Sequence, residues 1–491
     1  MSGSNRPPRS YGSGARILSI GIASTGLLTF AFFSIASHVL GEESAQRLDV
    51  LWSVMFVVIS VIYRPIEQLL SRTIAGRRAR GQTASSLRTP MLIQAGFALI
   101  FLAVALALHD ELVNHVFEHH SALYDVLVVG TLAYAASYFA RGWLAGHERF
   151  ALFGALVLME SVSRISFAVA VAVGIASGQT AVALGIAAAP FVSLFVVPAA
   201  FARSKAERAG NTGVHGAGVG AGAGAGAAEV SHELVIDGPI TVDEADAALA
   251  GPGTEAVQET AAHGELSLRR GGGFAIWVSA IMLSEQTLLN AGVLTVDATS
   301  RHRALAGIVF NVLLIARAPL QLFQAIQTSL LPHLTGLEAT AGHDAFARAI
   351  RTTILAILAF AAAVALGLLI LGPFALRHVF FGQAYSYGRF GLALIGVGMG
   401  LHLTSGALNQ AALARDRARA AACCWLLAAV AFLGWMVSPV IGDQLLRAEI
   451  GYAGATALLA LALALLYRQG TTRASEAQAT QTASTDAAIA R

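Results

Sequence analysis

Twelve apolar stretches, each long enough to cross a bilayer, leave this chain little freedom in what it can become. They cover residues 17–40, 50–70, 90–108, 122–140, 152–175 and 181–202, then 273–296, 304–331, 353–376, 390–413, 420–441 and 450–467. A spanning helix needs roughly 17–25 mostly apolar residues, because in hydrocarbon every backbone amide must find its partner inside the protein. The whole composition agrees: 56% of the 491 residues are hydrophobic and only 12% are charged, with a mean hydropathy of +0.66. That excludes a soluble enzyme of this length. The sequence predicts an all-α polytopic membrane protein with twelve transmembrane helices split six and six, as two internal repeats related by an axis along the membrane normal.

The division into lobes rests on one abrupt change of character. Residues 203–270 hold a glycine/alanine tract followed by an acidic run, 229–265, without lysine or arginine. Such a segment cannot bury enough apolar surface to offset its ordering entropy, so it reads as a disordered cytoplasmic linker. The expected organisation is a cytoplasmic N-terminal tail at 1–16, an N-lobe at 17–202, the linker at 203–270, a C-lobe at 271–467 and a cytoplasmic tail at 468–491. Basic residues set the orientation. The side with the N-terminus collects most of them, whereas the opposite side has only Arg47, Arg301, Arg303, Arg377, Arg389 and Arg447. Both termini are therefore expected in the cytoplasm of a multi-pass cell-membrane protein. Cys423 and Cys424 are adjacent in one apolar stretch, which leaves neither a disulfide framework nor a zinc site.

Charges inside apolar stretches are the functional suspects, since each must face a cavity or a partner. Arg317 lies about 20 Å into its span at 1.5 Å per residue, with no acid within four residues on its own helix. Glu160 and Arg164 lie about 15–22 Å deep, and Glu285 about 18 Å, by the same rise. Glu160 and Arg164, spaced i, i+4, share a helical face and can pair with each other, either as a structural tie or as part of a gate. Arg317 has Glu285 of the preceding span as its nearest expected counter-charge, and a guanidinium there can grip a diphosphate with two parallel hydrogen bonds. Arg64 sits at a comparable depth in the other lobe; its plainer reading is an interfacial arginine that snorkels.

Amides are the second signal. Gln321, Gln324 and Gln327 recur every third residue and form a stripe, joined by Asn290, Asn311, Asn409 and Gln410. Amides supply donors and acceptors for sugar hydroxyls, or simply bond packed helices together. Pro65 and Pro319 are candidate hinges. His402 is a candidate proton site by residue type, though a hydrogen-bonded core histidine is the plainer account. The turn from His109 to His120 holds four histidines and three acids and reads as a solvated loop rather than a metal site.

Several segments resemble the multidrug/oligosaccharidyl-lipid/polysaccharide exporter superfamily: Arg141-Gly142-Trp143-Leu144-Ala145-Gly146 with Arg149-Phe150, Glu160 with Arg164, and Arg317-Ala318-Pro319-Leu320 leading to Leu330-Leu331-Pro332. Similar members are Wzx-type polysaccharide flippases and lipid II flippases. The resemblance implies twelve transmembrane helices in two six-helix lobes with pseudo-twofold symmetry around a central cavity, and a non-enzymatic membrane flippase that moves a polyprenyl-diphosphate-linked oligosaccharide outward by alternating access. Arg317, Arg64, Gln321, Gln324 and Asn290 would hold substrate, and Glu160, Arg164 and Glu285 would form a charge network or gate. No cofactor or metal is implied. The partners implied are the lipid-linked glycan, the bilayer and proteins of glycan synthesis or polymerisation, with no nucleic acid. A cation-coupled drug or metabolite antiporter of the same superfamily is the alternative. A membrane polymerase or ligase is a third reading.

Overall fold

The computed structural model describes residues 11–82, 87–196, 198, 267–299, 323, 327–340, 342–375 and 388–489. Three of the substrate-binding candidates, Arg317, Gln321 and Gln324, and the hinge candidate Pro319 lie outside the described residues, as does nearly all of the 203–270 segment.

Every regular element among the described residues is helical. The first half contains α1 (Tyr11–Val39), α2 (Glu42–Ile62), α3 (Arg64–Ala79), α4 (Arg88–Ala107), α5 (Ser121–Gly146), α6 (Phe150–Ala172) and α7 (Gly178–Ser193). The second contains α8 (Leu268–Thr299), a helical segment at 327–340, α9 (Gly342–Ala375), α10 (Arg389–Ala414), α11 (Ala418–Val437) and α12 (Gln444–Ile489). Nine helices among the described residues are long and apolar enough to cross a membrane, α2 and α3 counting as one. Their lengths follow from long alanine- and leucine-rich runs, which favour helix and have no competing polar group to satisfy.

Burial sorts the helices into core and periphery. The apolar window of α10 is 72% buried, against 11% in α9 and 17% in α4. So α10 forms the axis of the second half, flanked by α9 and α12, while α9 and α4 turn most of their surface outward, toward lipid. In the first half, α1 packs along α6, and α3 and α7 along α5. Residues such as Leu51, Met55, Leu127, Tyr134 and Ile186 close that core. Both halves belong to one compact unit. Helix α8 joins them, packing on α11 in its own half and on α2, α3 and α4 in the other.

Helix α2 ends at Ile62 and α3 begins at Arg64, with Tyr63 between them at φ −107° and ψ −27°. Pro65 has no N–H and its ring denies the bond to the carbonyl four residues back. The chain instead closes on Tyr63, whose carbonyl accepts from both Ile66 (3.0 Å) and Glu67 (3.1 Å).

Helices α5 and α10 terminate in the same way. Glu148 (φ 56°) and Asp416 (φ 59°) both adopt the left-handed conformation. After α5, Arg149 N donates to Leu144 O and Glu148 N to Ala145 O; after α10, Arg417 N donates to Ala412 O and Asp416 N to Leu413 O. This paired bonding caps the last carbonyls of each helix. Glycine normally takes that left-handed position, so a glutamate and an aspartate there mark the two turns as equivalents.

Candidate functional site

Three helices of the first half bring polar side chains together inside the bundle. On α5, Tyr134, Ser137, Tyr138 and Arg141 recur at helical spacing and share a face. Glu160 on α6, 2% exposed, accepts from Ser137 Oγ at 2.5 Å and pairs with the Arg141 guanidinium. Arg141 also stacks over the Tyr138 ring, 4.4 Å from its centroid. Arg164, 4% exposed, donates to Tyr134 Oη at 3.0 Å and to Ser161 Oγ at 2.7 Å, and lies 4.9 Å over the Trp52 ring of α2. The i, i+4 spacing of Glu160 and Arg164 suggested a mutual pair; the structure instead gives each its own partner from a neighbouring helix. The apolar run stops at residue 140, just short of Arg141, yet α5 continues to Gly146 and carries Arg141 inside.

A second group occupies the other half. Glu285 on α8 approaches His402 of α10, Oε1 to Nε2, at 3.6 Å. That is an electrostatic contact, too long for a hydrogen bond, and neither ring nitrogen of His402 makes one. The imidazole is enclosed by Trp425, edge-to-face at 5.6 Å, and by Tyr452, stacked at 6.3 Å. Trp425 Nε1 donates to Asn409 Oδ1 at 3.2 Å. Asn290 turns back on its own helix, its Nδ2 donating to Gln286 O at 2.8 Å and Gln286 Oε1 at 3.2 Å. Gln327 packs beside Gly406.

Arg64 connects the two groups. It is half-buried at the start of α3, within electrostatic range both of Glu67 on its own helix and of Glu285 on α8. Glu67 also faces Arg141. Glu67 went unread in the sequence because it lies close to the end of an apolar run, two residues after Pro65. Of the three buried glutamates of this layer, Glu160 pairs with Arg141 and Glu285 stands beside His402, while Glu67 lies within electrostatic range of Arg141 and Arg64, and Glu285 of Arg64.

The halves also meet at the bundle end that holds the turns after α3, α5 and α10. Arg72 Nη1 donates to Asp416 Oδ1 at 2.9 Å, and Arg270 Nη2 lies 3.8 Å from Oδ2 of the same carboxylate. Arg72 stacks over Phe274 of α8, 5.1 Å from its centroid. A Cβ on Gly76 would come within 3.2 Å of the Thr335 methyl, so α3 and the 327–340 segment touch directly. Half-exposed ion pairs contribute about 0.2–1 kcal/mol. Asp416→Ala is accordingly expected to shift the balance toward separation of this end by at most about five-fold. Distances between spin labels at the ends of α3 and α10 report it, and an unchanged distribution would show the pair to be idle.

In the histidine-rich turn, as elsewhere among the described residues, no three ligating side chains converge. Its groups pair locally, His109 with Asp110 and His115 with Glu111, and Glu118 binds Arg47 of α2 at 2.9 Å.

No family model matches the sequence. A search of curated proteins finds no match either. Solved structures do match over nearly the whole chain. An outward-facing multidrug resistance MATE family transporter of the MOP superfamily aligns at 14% identity with a TM-score of 0.67, covering 95% of this chain and 98% of that one. The Vibrio cholerae MATE transporter VcmN aligns at 13% identity and a TM-score of 0.69, covering 95% and 99%. A MOP superfamily transporter from Pyrococcus furiosus, with a binding pocket described as of reverse polarity, aligns at 13% identity and a TM-score of 0.65, covering 94% and 95%. The chain has the fold of the MATE transporters of the MOP superfamily, an all-α membrane architecture of twelve helices in two lobes.

Proposed function

We propose that this protein is a flippase that carries a polyprenyl-diphosphate-linked oligosaccharide from the cytoplasmic to the outer leaflet of the cell membrane by alternating access, without enzymatic chemistry. The observation that carries this reading is the balance of charge in the central layer. A carrier of cationic drugs is served by an unneutralised buried carboxylate, whereas here Glu67, Glu160 and Glu285 each have a cation or an imidazole within electrostatic range. Arg141 is committed to Glu160 and Arg164 to Tyr134 and Ser161. That leaves Arg64, at the contact between the lobes, as the described guanidinium most available to an anion. Its planar fork matches a phosphate oxygen pair. Arg317 would add a second cation from the other lobe, with Gln321, Gln324 and Asn290 offering bonds to the glycan. The Pyrococcus furiosus transporter supports the reasoning, since its pocket polarity was taken to suggest a different function within the same fold.

In this reading the arginine-rich end faces the cytoplasm, and the Arg72–Asp416 contact closes that entrance. The joint at Tyr63 and Pro65 lets α2 and α3 pivot as the lobes rock. The lipid tail stays in the bilayer between the lobes while the head group crosses, and glycan-assembly proteins would supply and consume the substrate.

The test is the leaflet distribution of lipid-linked glycan in cells depleted of the protein and complemented with variants at equal membrane expression. Wild type should restore outer-leaflet lipid, Arg64→Ala should lose about ten-fold or more of that transfer, and Arg64→Lys should keep part of it, since an ammonium lacks the bidentate fork. Normal outer-leaflet lipid in depleted cells would sink the reading, and drug efflux would then be the activity to assay.

A further inference from the structure

We propose that Glu285 and His402 form a proton-binding couple that releases Arg64 to an anionic substrate, so that anion binding and proton uptake reinforce each other. The inference rests on the anionic-substrate reading above and adds what makes Arg64 available.

Two carboxylates lie within electrostatic range of Arg64, Glu67 on its own helix and Glu285 on α8, which packs against α3. A phosphate that takes the guanidinium strips Glu285 of a cation while it stays 8% exposed. A buried carboxylate without a counter-charge is costly. His402 stands ready to replace that cation: its side chain is 2% exposed, Nε2 lies 3.6 Å from Glu285 Oε1, and neither ring nitrogen has a hydrogen bond to lose. Taking a proton from solvent on Nε2, the imidazole becomes a cation that donates to Oε1, and no other bond forms or breaks.

Helix α11 presents the Trp425 indole and α12 the Tyr452 ring to His402. Among the described residues, α12 also carries Glu449, 6% exposed, which packs against Gly391 near the start of α10, eleven residues before His402. Of the α11 cysteines, Cys423 is exposed and Cys424 only partly buried. Helix α9, packed along α10, carries no titratable side chain between residues 352 and 375. From α3 come Arg64 and Glu67 themselves. By linkage, a proton that favours the anion is favoured by it to the same extent. In a carrier where protons and cationic substrate compete, the two effects would instead oppose each other.

The experiment is calorimetric titration of the full-length protein in nanodiscs with inorganic pyrophosphate, at about pH 7.5, in two buffers of different ionisation enthalpy. The protons that pyrophosphate itself exchanges are common to all variants and cancel. Wild type should take up about one proton more per bound pyrophosphate than His402→Gln. Glu285→Gln should bind at least as tightly as wild type, since the competitor for Arg64 is gone, and should also lack the extra proton. If His402→Gln is not monodisperse, Glu285→Gln supplies the same comparison. Equal proton uptake in wild type and the variants overturns this inference alone. Wild type that binds no pyrophosphate at any pH overturns the anionic-substrate reading and this inference with it.

Discussion

Glu160→Ala is expected to destabilise the folded protein by about 3–5 kcal/mol, the cost of removing one partner from a buried ion pair. The residue is 2% exposed and receives two donors, Ser137 Oγ and the Arg141 guanidinium. Alanine removes the acceptor, and the Arg141 side chain, only 11% exposed, keeps its charge with the Tyr138 ring and the more distant Glu67 as remaining neighbours. Cation–π contact recovers roughly 0.5–2 kcal/mol, less than the pair supplied. The informative comparison is the double variant Arg141→Met with Glu160→Leu, which deletes both charges at similar volume. Such apolar replacements of buried pairs are often neutral, so it should recover most of the loss and show that the pair's role is positional. Thermal and denaturant unfolding in detergent reads both. A single variant within about 1 kcal/mol of wild type, the span of an exposed pair, would mean that water reaches Arg141.

This pair also marks where reading from sequence stops. Membrane helices were legible because apolar runs report on solvent, and Glu160, Arg164 and Glu285 were legible because a charge inside such a run is conspicuous. Their partners were not. Hydropathy ends at residue 140 while the helix ends at Gly146, so the apolar run leaves Arg141 out, although i, i+4 and i, i+7 spacing from Ser137 and Tyr134 was available as a signal. Spacing on one helix places Glu160 and Arg164 on a common face but cannot choose between a neighbour on that helix and one across the interface. Here Arg141 and Tyr134, both on α5, prevail. His402 could be singled out as titratable, yet only the folded chain brings Glu285 to 3.6 Å from it, more than a hundred residues away along the chain.

Among changes that leave every charge in place, the largest effect is expected at Gly142. Helix α3 crosses α5 so closely that a Cβ there would lie 2.8 Å from Glu67 O and 2.9 Å from Glu67 Cα, and at Gly146, one turn on, 2.7 Å from Ile74 Cβ. Small residues four apart let helix backbones approach in a membrane, where packing rather than water drives association. At Gly142 the obstacle is backbone, which cannot rotate away, so the helices must separate. Gly142→Ala should therefore cost about 1–3 kcal/mol through overpacking, and Gly142→Leu should prevent recovery of folded protein. The control is Gly96→Ala on α4, where a Cβ meets nothing within 4 Å; there alanine should be neutral or stabilising by up to about 1 kcal/mol, the helix-propensity difference. Separation of α3 from α5 also draws Glu67 and Arg64 away from Arg141. Protein carrying Gly142→Ala that still folds should thus lose anion binding along with thermal stability, whereas a pure packing site would lose stability alone. Melting temperature and pyrophosphate affinity measured on the same preparation separate the two, and a melting temperature equal to wild type would show that the α3–α5 crossing is looser than 2.8 Å contacts require.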